Sequence, residues 1–115
     1  MTPLAALLGE LRRSRGIRQK DLACLLEVDA SYLSGLESGR KGPPTPALAD
    51  RLRQQLALTE KEQGSLLAAI RFSQRRYDVP FEADPREHEL IWTIMNSVGR
   101  LRPAQINAIS EILKL

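Results

Sequence analysis

A chain of 115 residues has room for one compact domain, or for a small domain with an appendage. Apolar residues make up 43% and aromatics only 4%, so any core must be mainly aliphatic. No apolar run approaches the ~20 residues of a membrane-spanning helix. The single Cys24 and single His88 exclude an internal disulfide and a Cys/His metal cluster.

Helix signals begin at the N-terminus. Thr2-Pro3 supplies an N-cap and a proline at the first helical position, and Leu4, Leu7, Leu8 and Leu11 form an apolar stripe running to about Ser14. The charges follow the apolar residues here, the reverse of a secretory signal, which points to a soluble cytoplasmic protein. Gly16 is placed to end this helix. A second helix is expected over about Gln19 to Leu26, with Leu22, Ala23 and Leu26 on one face. Cys24 falls on this helix, where a partly buried structural thiol is expected. Asp29 stands at an N-cap position, its carboxylate expected to take up free backbone N–H groups and start a third helix over about Ala30 to Ser38. Val28 packs at the turn, Leu33 and Leu36 face inward, and Ala23 is small where the two helices must cross closely.

After a loop of Gly39, Gly42 and Pro43-Pro44, Thr45-Pro46 opens a fourth helix with Leu48, Leu52 and Leu56. Thr59-Glu60-Lys61-Glu62 is a capping box. The fifth helix it opens carries Leu66, Leu67 and Ile70, runs towards Phe72 and should fade near Arg76. Residues 77–83 contain a proline, mixed charges and no period, and read as a linker. Asp84-Pro85-Arg86-Glu87 is a second capping box, opening a helix with Leu90, Ile91, Ile94, Met95, Val98 and Leu101. Gly99 weakens its end, and Arg102-Pro103 restarts a last helix with Ile106, Ile109, Ile112 and Leu113. No segment alternates as a strand would, so the expected class is all-α.

Two short helices joined by a tight turn and followed by a basic tail, RQKDLACLLEVDASYLSGLESGRK from Arg18 to Lys41, have the spacing of a helix-turn-helix. Arg12, Gly16-Ile17, Gln19, Leu22-Ala23, Val28, Tyr32-Leu33, Leu36-Glu37 and Gly39-Arg40 together resemble the helix-turn-helix of the phage repressor and Cro superfamily, often called the XRE family. The likeness covers roughly residues 4 to 58. It implies a five-helix lambda-repressor-like DNA-binding domain over 1–76, with 84–115 as a C-terminal helical extension. Two positions depart from the family pattern. Arg18 stands where a small hydroxyl residue usually caps the second helix, and Gly35 where many members carry a side chain that reaches a base.

By position, Asp29, Ala30, Ser31, Ser34 and Gly35 are the base-facing candidates. None is an Arg, Asn or Gln able to make a bidentate base contact, so direct readout should be thin and Tyr32, loop cations or DNA shape should add to it. Arg18, Lys20, Arg40 and Lys41 lie beside helix ends or loops facing the same groove and suit phosphates. The resemblance implies a sugar-phosphate contact for Gln19 and a phosphate contact for the Tyr32 hydroxyl. It also implies an ion pair between Arg12 and Glu37 that braces the third helix against the first. Charge is distributed accordingly: residues 1–80 hold 13 Lys/Arg against 9 Asp/Glu, and residues 81–115 hold 4 against 5.

The C-terminal helices exceed what a five-helix unit needs. Ile91, Trp92, Met95, Ile109, Ile112 and Leu113 read as a dimerisation hairpin, because such units read two half-sites as two-fold dimers. Packing back on the monomer core is the plainer alternative, and an antitoxin-type or adaptor role would have these helices hold a partner protein. Catalysis is not expected, since Glu87 and Glu89 diverge around His88 and no base stands beside Ser31 or Ser34. The expected protein is a cytoplasmic transcriptional regulator, a repressor that binds double-stranded operator DNA as a homodimer, with no cofactor and no membrane contact.

Overall fold

The computed structural model describes residues 1–115 as seven helices without a strand: α1 (Pro3–Ser14), α2 (Gln19–Leu26), α3 (Ala30–Ser38), α4 (Pro46–Gln55), α5 (Glu60–Arg71), α6 (Pro85–Ser97) and α7 (Pro103–Ile112). The all-α expectation holds, and the helices start where the local capping chemistry sets them. Thr2 accepts the Ala5 N–H at 3.1 Å and Thr45 the Leu48 N–H at 3.2 Å, each with a proline behind it. Thr59 and Glu62 exchange both bonds of a capping box, as do Asp84 and Glu87. Each such cap satisfies backbone donors that the first helical turn leaves free.

The chain divides into two compact units, Met1–Arg76 and Tyr77–Leu115. In the first, α1 packs on α3 and α5, and α2 packs on α3 and α4. Leu4, Leu8, Leu22, Leu26, Leu33, Leu36 and Leu52 are fully enclosed, with Leu11, Ala23, Leu48, Leu56, Leu58, Leu66 and Ala69 around them. The core is aliphatic, as the scarcity of aromatics requires. At roughly 1.5–3 kcal/mol for each large apolar side chain removed from water, these leucines supply most of the drive to fold.

Helix α5 departs from its sequence pattern. Leu67, expected on the inner stripe, is exposed, and Ala69 is buried in its place. Leu67 follows Leu66 by 100° of helical turn, so only one of the two can face α1. The helix stops at Arg71 rather than near Arg76. Just beyond it Ser73 is buried, its Oγ accepting the Leu4 N–H at 2.9 Å and donating to the Ala69 carbonyl. One hydroxyl thereby closes the end of α5 and caps the start of α1.

Arg15 fastens the other end of α1. Its Nε donates to the Leu56 carbonyl at 2.6 Å and its Nη2 to Glu62 Oε1 at 2.7 Å, the carboxylate that also serves the α5 capping box. Arg15, then the Thr59 backbone N–H, hold the Glu62 carboxyl at about 2 against an ordinary 4.5. A carboxyl lowered on folding stabilises fully above its unfolded value and loses that contribution as pH falls. Glu62→Gln should therefore melt below the wild type at pH 7, and the gap should close between pH 4.5 and about 2. Thermal melts across that range check this, and a gap independent of pH would contradict it. Glu62 is 29% exposed, so water moderates the size of the effect.

In the second unit, α6 ends at Ser97, short of the expected Leu101, where Val98 leaves helical geometry and Gly99 adopts φ +95°. Neither α6 nor α7 buries a side chain. No helix is long and apolar enough to cross a membrane.

Candidate nucleic-acid interface

Three residues, Glu27 to Asp29, connect α2 to α3. Glu27 takes a left-handed conformation at φ 59° and returns its N–H to the Cys24 carbonyl, while Val28 N–H reaches the Ala23 carbonyl at 3.0 Å. These bonds close α2 and turn the chain at once, and the 2% exposure of Ala23 shows how closely α3 crosses there. Leu33 and Leu36 anchor one side of α3 in the core. The other side carries Ala30 and Ser31, both exposed, and Ser34, half-buried.

Asp29 occupies the N-cap of α3, but its carboxylate makes no capping bond. Its backbone carbonyl accepts from Tyr32 and Leu33, and the open first turn can be served by water. The carboxylate is consequently free at the exposed tip of the helix. Arg18 likewise caps nothing by its side chain, pairing instead with Asp21 at 2.8 Å in solvent. Gln19 is half-buried at the start of α2, and Lys20 is exposed beside it.

Beyond α3, Arg40 is exposed, its Nε on Ser38 Oγ at 3.0 Å. Lys41 N–H bonds the Gly35 carbonyl at 3.0 Å, and the side chain then runs back along α3. Its stem lies on Gly35, and its ammonium stands 5.8 Å from the centre of the Tyr32 ring. Gly35 is therefore buried, not open to a groove as its position in the sequence led us to expect. Tyr32 is half-buried, with its ring against the core. Glu27, Val28, Asp29, Ser31, Tyr32 and Lys41 line an open, mostly polar concavity at the tip of α3.

The helix is held by Arg12 from α1. Its Nε reaches both oxygens of Glu37 at 3.1 and 3.0 Å, its Nη2 reaches Oε1 at 3.1 Å, and its Nη1 bonds the Ile17 carbonyl at 2.9 Å. The pair is 15% and 8% exposed, so the fork is shielded and every bond in it is charge-assisted.

A family model described as a helix-turn-helix domain matches residues 3–66, more than half of the chain. The chain belongs to the helix-turn-helix domain family. It is also similar to the HTH-type transcriptional regulator DdrOP3 of Deinococcus deserti, at 44% identity over 45 residues. That stretch is 39% of this chain and 35% of the relative, so the likeness spans about a third of the relative's length. No solved structure matches the chain.

Within this helix-turn-helix domain, two cations escaped the sequence reading. Arg51 of α4 donates to the Leu26 carbonyl at 3.3 Å, at the last turn of α2, and Arg75 donates to the Gly39 carbonyl beside Arg40. Both are tertiary contacts across long stretches of chain, with no local pattern to announce them. Cys24 is exposed rather than partly buried, since it sits 100° around α2 from the enclosed Ala23.

Proposed function

We propose that this chain is a DNA-binding transcriptional regulator of the phage repressor and Cro type. It acts in the cytoplasm as a repressor, bound as a homodimer to a pseudo-palindromic operator with α3 in the major groove. The observation that carries this reading is the outward face of α3. Ala30, Ser31 and Ser34 stand outside a core that Leu33 and Leu36 seal, and exposed Arg18, Lys20, Arg40 and Lys41 occupy the flanking segments. A helix held from behind by a shielded ion pair, bare in front and bordered by cations suits a groove wall of phosphates. The kinship with a transcriptional regulator supports the same reading.

The roles divide by chemistry. Ala30 meets a thymine methyl, Ser31 and Ser34 exchange single hydrogen bonds with base edges, and the uncommitted Asp29 carboxylate accepts from a cytosine amino group. Arg18, Gln19, Lys20 and Arg40 hold phosphates, and Tyr32 offers its hydroxyl to the backbone. The exposed apolar residues of α6 and α7 hold the second copy. In the rival reading they hold a different protein, as in an antitoxin, and the mass of the purified chain separates the two: the homodimer doubles it at micromolar concentration.

Fluorescence-anisotropy titration with the chain's own upstream DNA and with a scrambled duplex, at two salt concentrations, tests the proposal. The own sequence should bind more tightly, and the affinity should fall steeply with salt. Arg40→Ala should weaken both duplexes alike and reduce the salt slope by about one, as loss of one phosphate contact does. Equal, weak binding of the two duplexes by the wild type would overturn the operator reading.

A further inference from the structure

We infer that Lys41 is the base-reading side chain of this interface and that Gly35 is the slot that aims it; the inference rests on the operator reading above. Three independent contacts fix the lysine. Its N–H is tied to the Gly35 carbonyl, its stem lies on Gly35, and its ammonium lies over the Tyr32 ring. The stem occupies the space into which a side chain at position 35 would project. A Cβ there would stand 2.8 Å from Lys41 Cγ and 3.0 Å from Cδ, closer than packed carbons come. Gly35 sits one turn after Ser31, on the same side of α3. A side chain laid over Gly35 towards Tyr32 thus points along the face that enters the groove.

The surroundings decide between a base and a phosphate. Glu27 and Asp29 line the same concavity as Lys41. Two carboxylates repel a phosphate at that spot, yet they tolerate a neutral base edge. The guanine edge in the major groove offers two acceptors, O6 and N7, to an ammonium that has three donors and no other strong partner here. The lysine therefore supplies the reach that Ala30, Ser31 and Ser34 lack, and it does so from the loop after the recognition helix.

Selection of the full chain on a randomised 20-base-pair duplex library, followed by anisotropy on the enriched site and on its single-base variants, tests this. Lys41→Met keeps the stem on Gly35 and removes the charge. It should lower the preference for guanine at one position of each half-site by about tenfold, within the range of a specific base contact. Gly35→Ala keeps the charge and displaces the stem. It should lose the same preference while α3 stays helical, alanine being the better helix former. The double variant should be no worse than either single one. A wild type and a Lys41→Met variant that enrich the same site equally would overturn the inference alone. So would a Lys41→Met variant that weakens every duplex uniformly, or single effects that simply add. A wild type that enriches no sequence would overturn the operator reading, and this inference with it.

Discussion

Glu37→Ala should lower the melting temperature of the first unit by roughly 15 °C, corresponding to a loss on the order of 3 kcal/mol. The magnitude follows from what remains behind. Arg12 makes three bonds to Glu37 and one to the Ile17 carbonyl, and its side chain is only 15% exposed. Removing the carboxylate strands Nε and Nη2 of a permanent cation in a shielded place, and the guanidinium cannot discharge itself. Arg12→Ala strands the anion instead and should also lower the melting temperature. Removing both partners should cost less than the sum of the single losses, because no charge is then left alone. Thermal melts of the three variants at pH 7 check the series. A Glu37→Ala melt within about 3 °C of the wild type would show the pair to be dispensable. Because Glu37 faces α1 and not the exposed side of α3, base preference below the melting range should stay as it was while stability falls.

What could be read in the sequence was whatever chemistry acts over four residues or fewer. Thr2-Pro3, Thr45-Pro46, Thr59 with Glu62 and Asp84 with Glu87 mark helix starts because cap and partner lie within one turn. The leucine stripes of α1, α2 and α4 were legible for the same reason, since one face repeats every three or four residues. Apart from the Arg12–Glu37 pair, which the family resemblance implied, what escaped were contacts between positions far apart. Ser73 meets Leu4 across 69 residues and Arg15 meets Glu62 across 47, and neither leaves a periodic trace. Leu58 lies in the connection between α4 and α5, outside any stripe, and is buried all the same. Leu67 shows the converse failure: an apolar residue beside a stripe counts towards it in sequence but points away in space.

The interface divides along the same line. The turn from α2 to α3 was legible, because small Ala23, Val28 and the flanking leucines are local signals. Asp29 was misread by the same logic. Its residue type fits an N-cap, yet an exposed first turn has water to satisfy it and does not need the carboxylate. Gly35 looked like an open place on the helix and is instead a covered one. Only the path of the Lys41 side chain, set by a bond from its own N–H back to the Gly35 carbonyl, reveals the difference.

Charge placed on α6 should release one copy of this protein from another. Ile91→Glu with Met95→Glu puts two carboxylates one turn apart on the face where Ile91, Trp92, Met95 and Val98 stand exposed. At the end of α7, Ile112 and the C-cap Leu113 are exposed and Ile109 is half-exposed, which adds to the uncovered apolar side chains of the second unit. A second copy suits that surface electrically as well, since residues 81–115 hold 4 Lys/Arg and 5 Asp/Glu and two such segments repel each other little. The substitutions lie outside the enclosed core of Met1–Arg76, and α6 keeps its own capping box, so the first unit should melt as in the wild type. Light scattering at micromolar concentration should then find the wild type at twice the 12.9 kDa chain mass and the variant at the chain mass. Operator affinity should fall by about 100-fold or more, because two linked half-site contacts become one. A double variant that still dimerises would move the interface away from α6. A wild type that is monomeric at that concentration would instead leave the apolar helices to a different protein, and the antitoxin-type reading would take precedence.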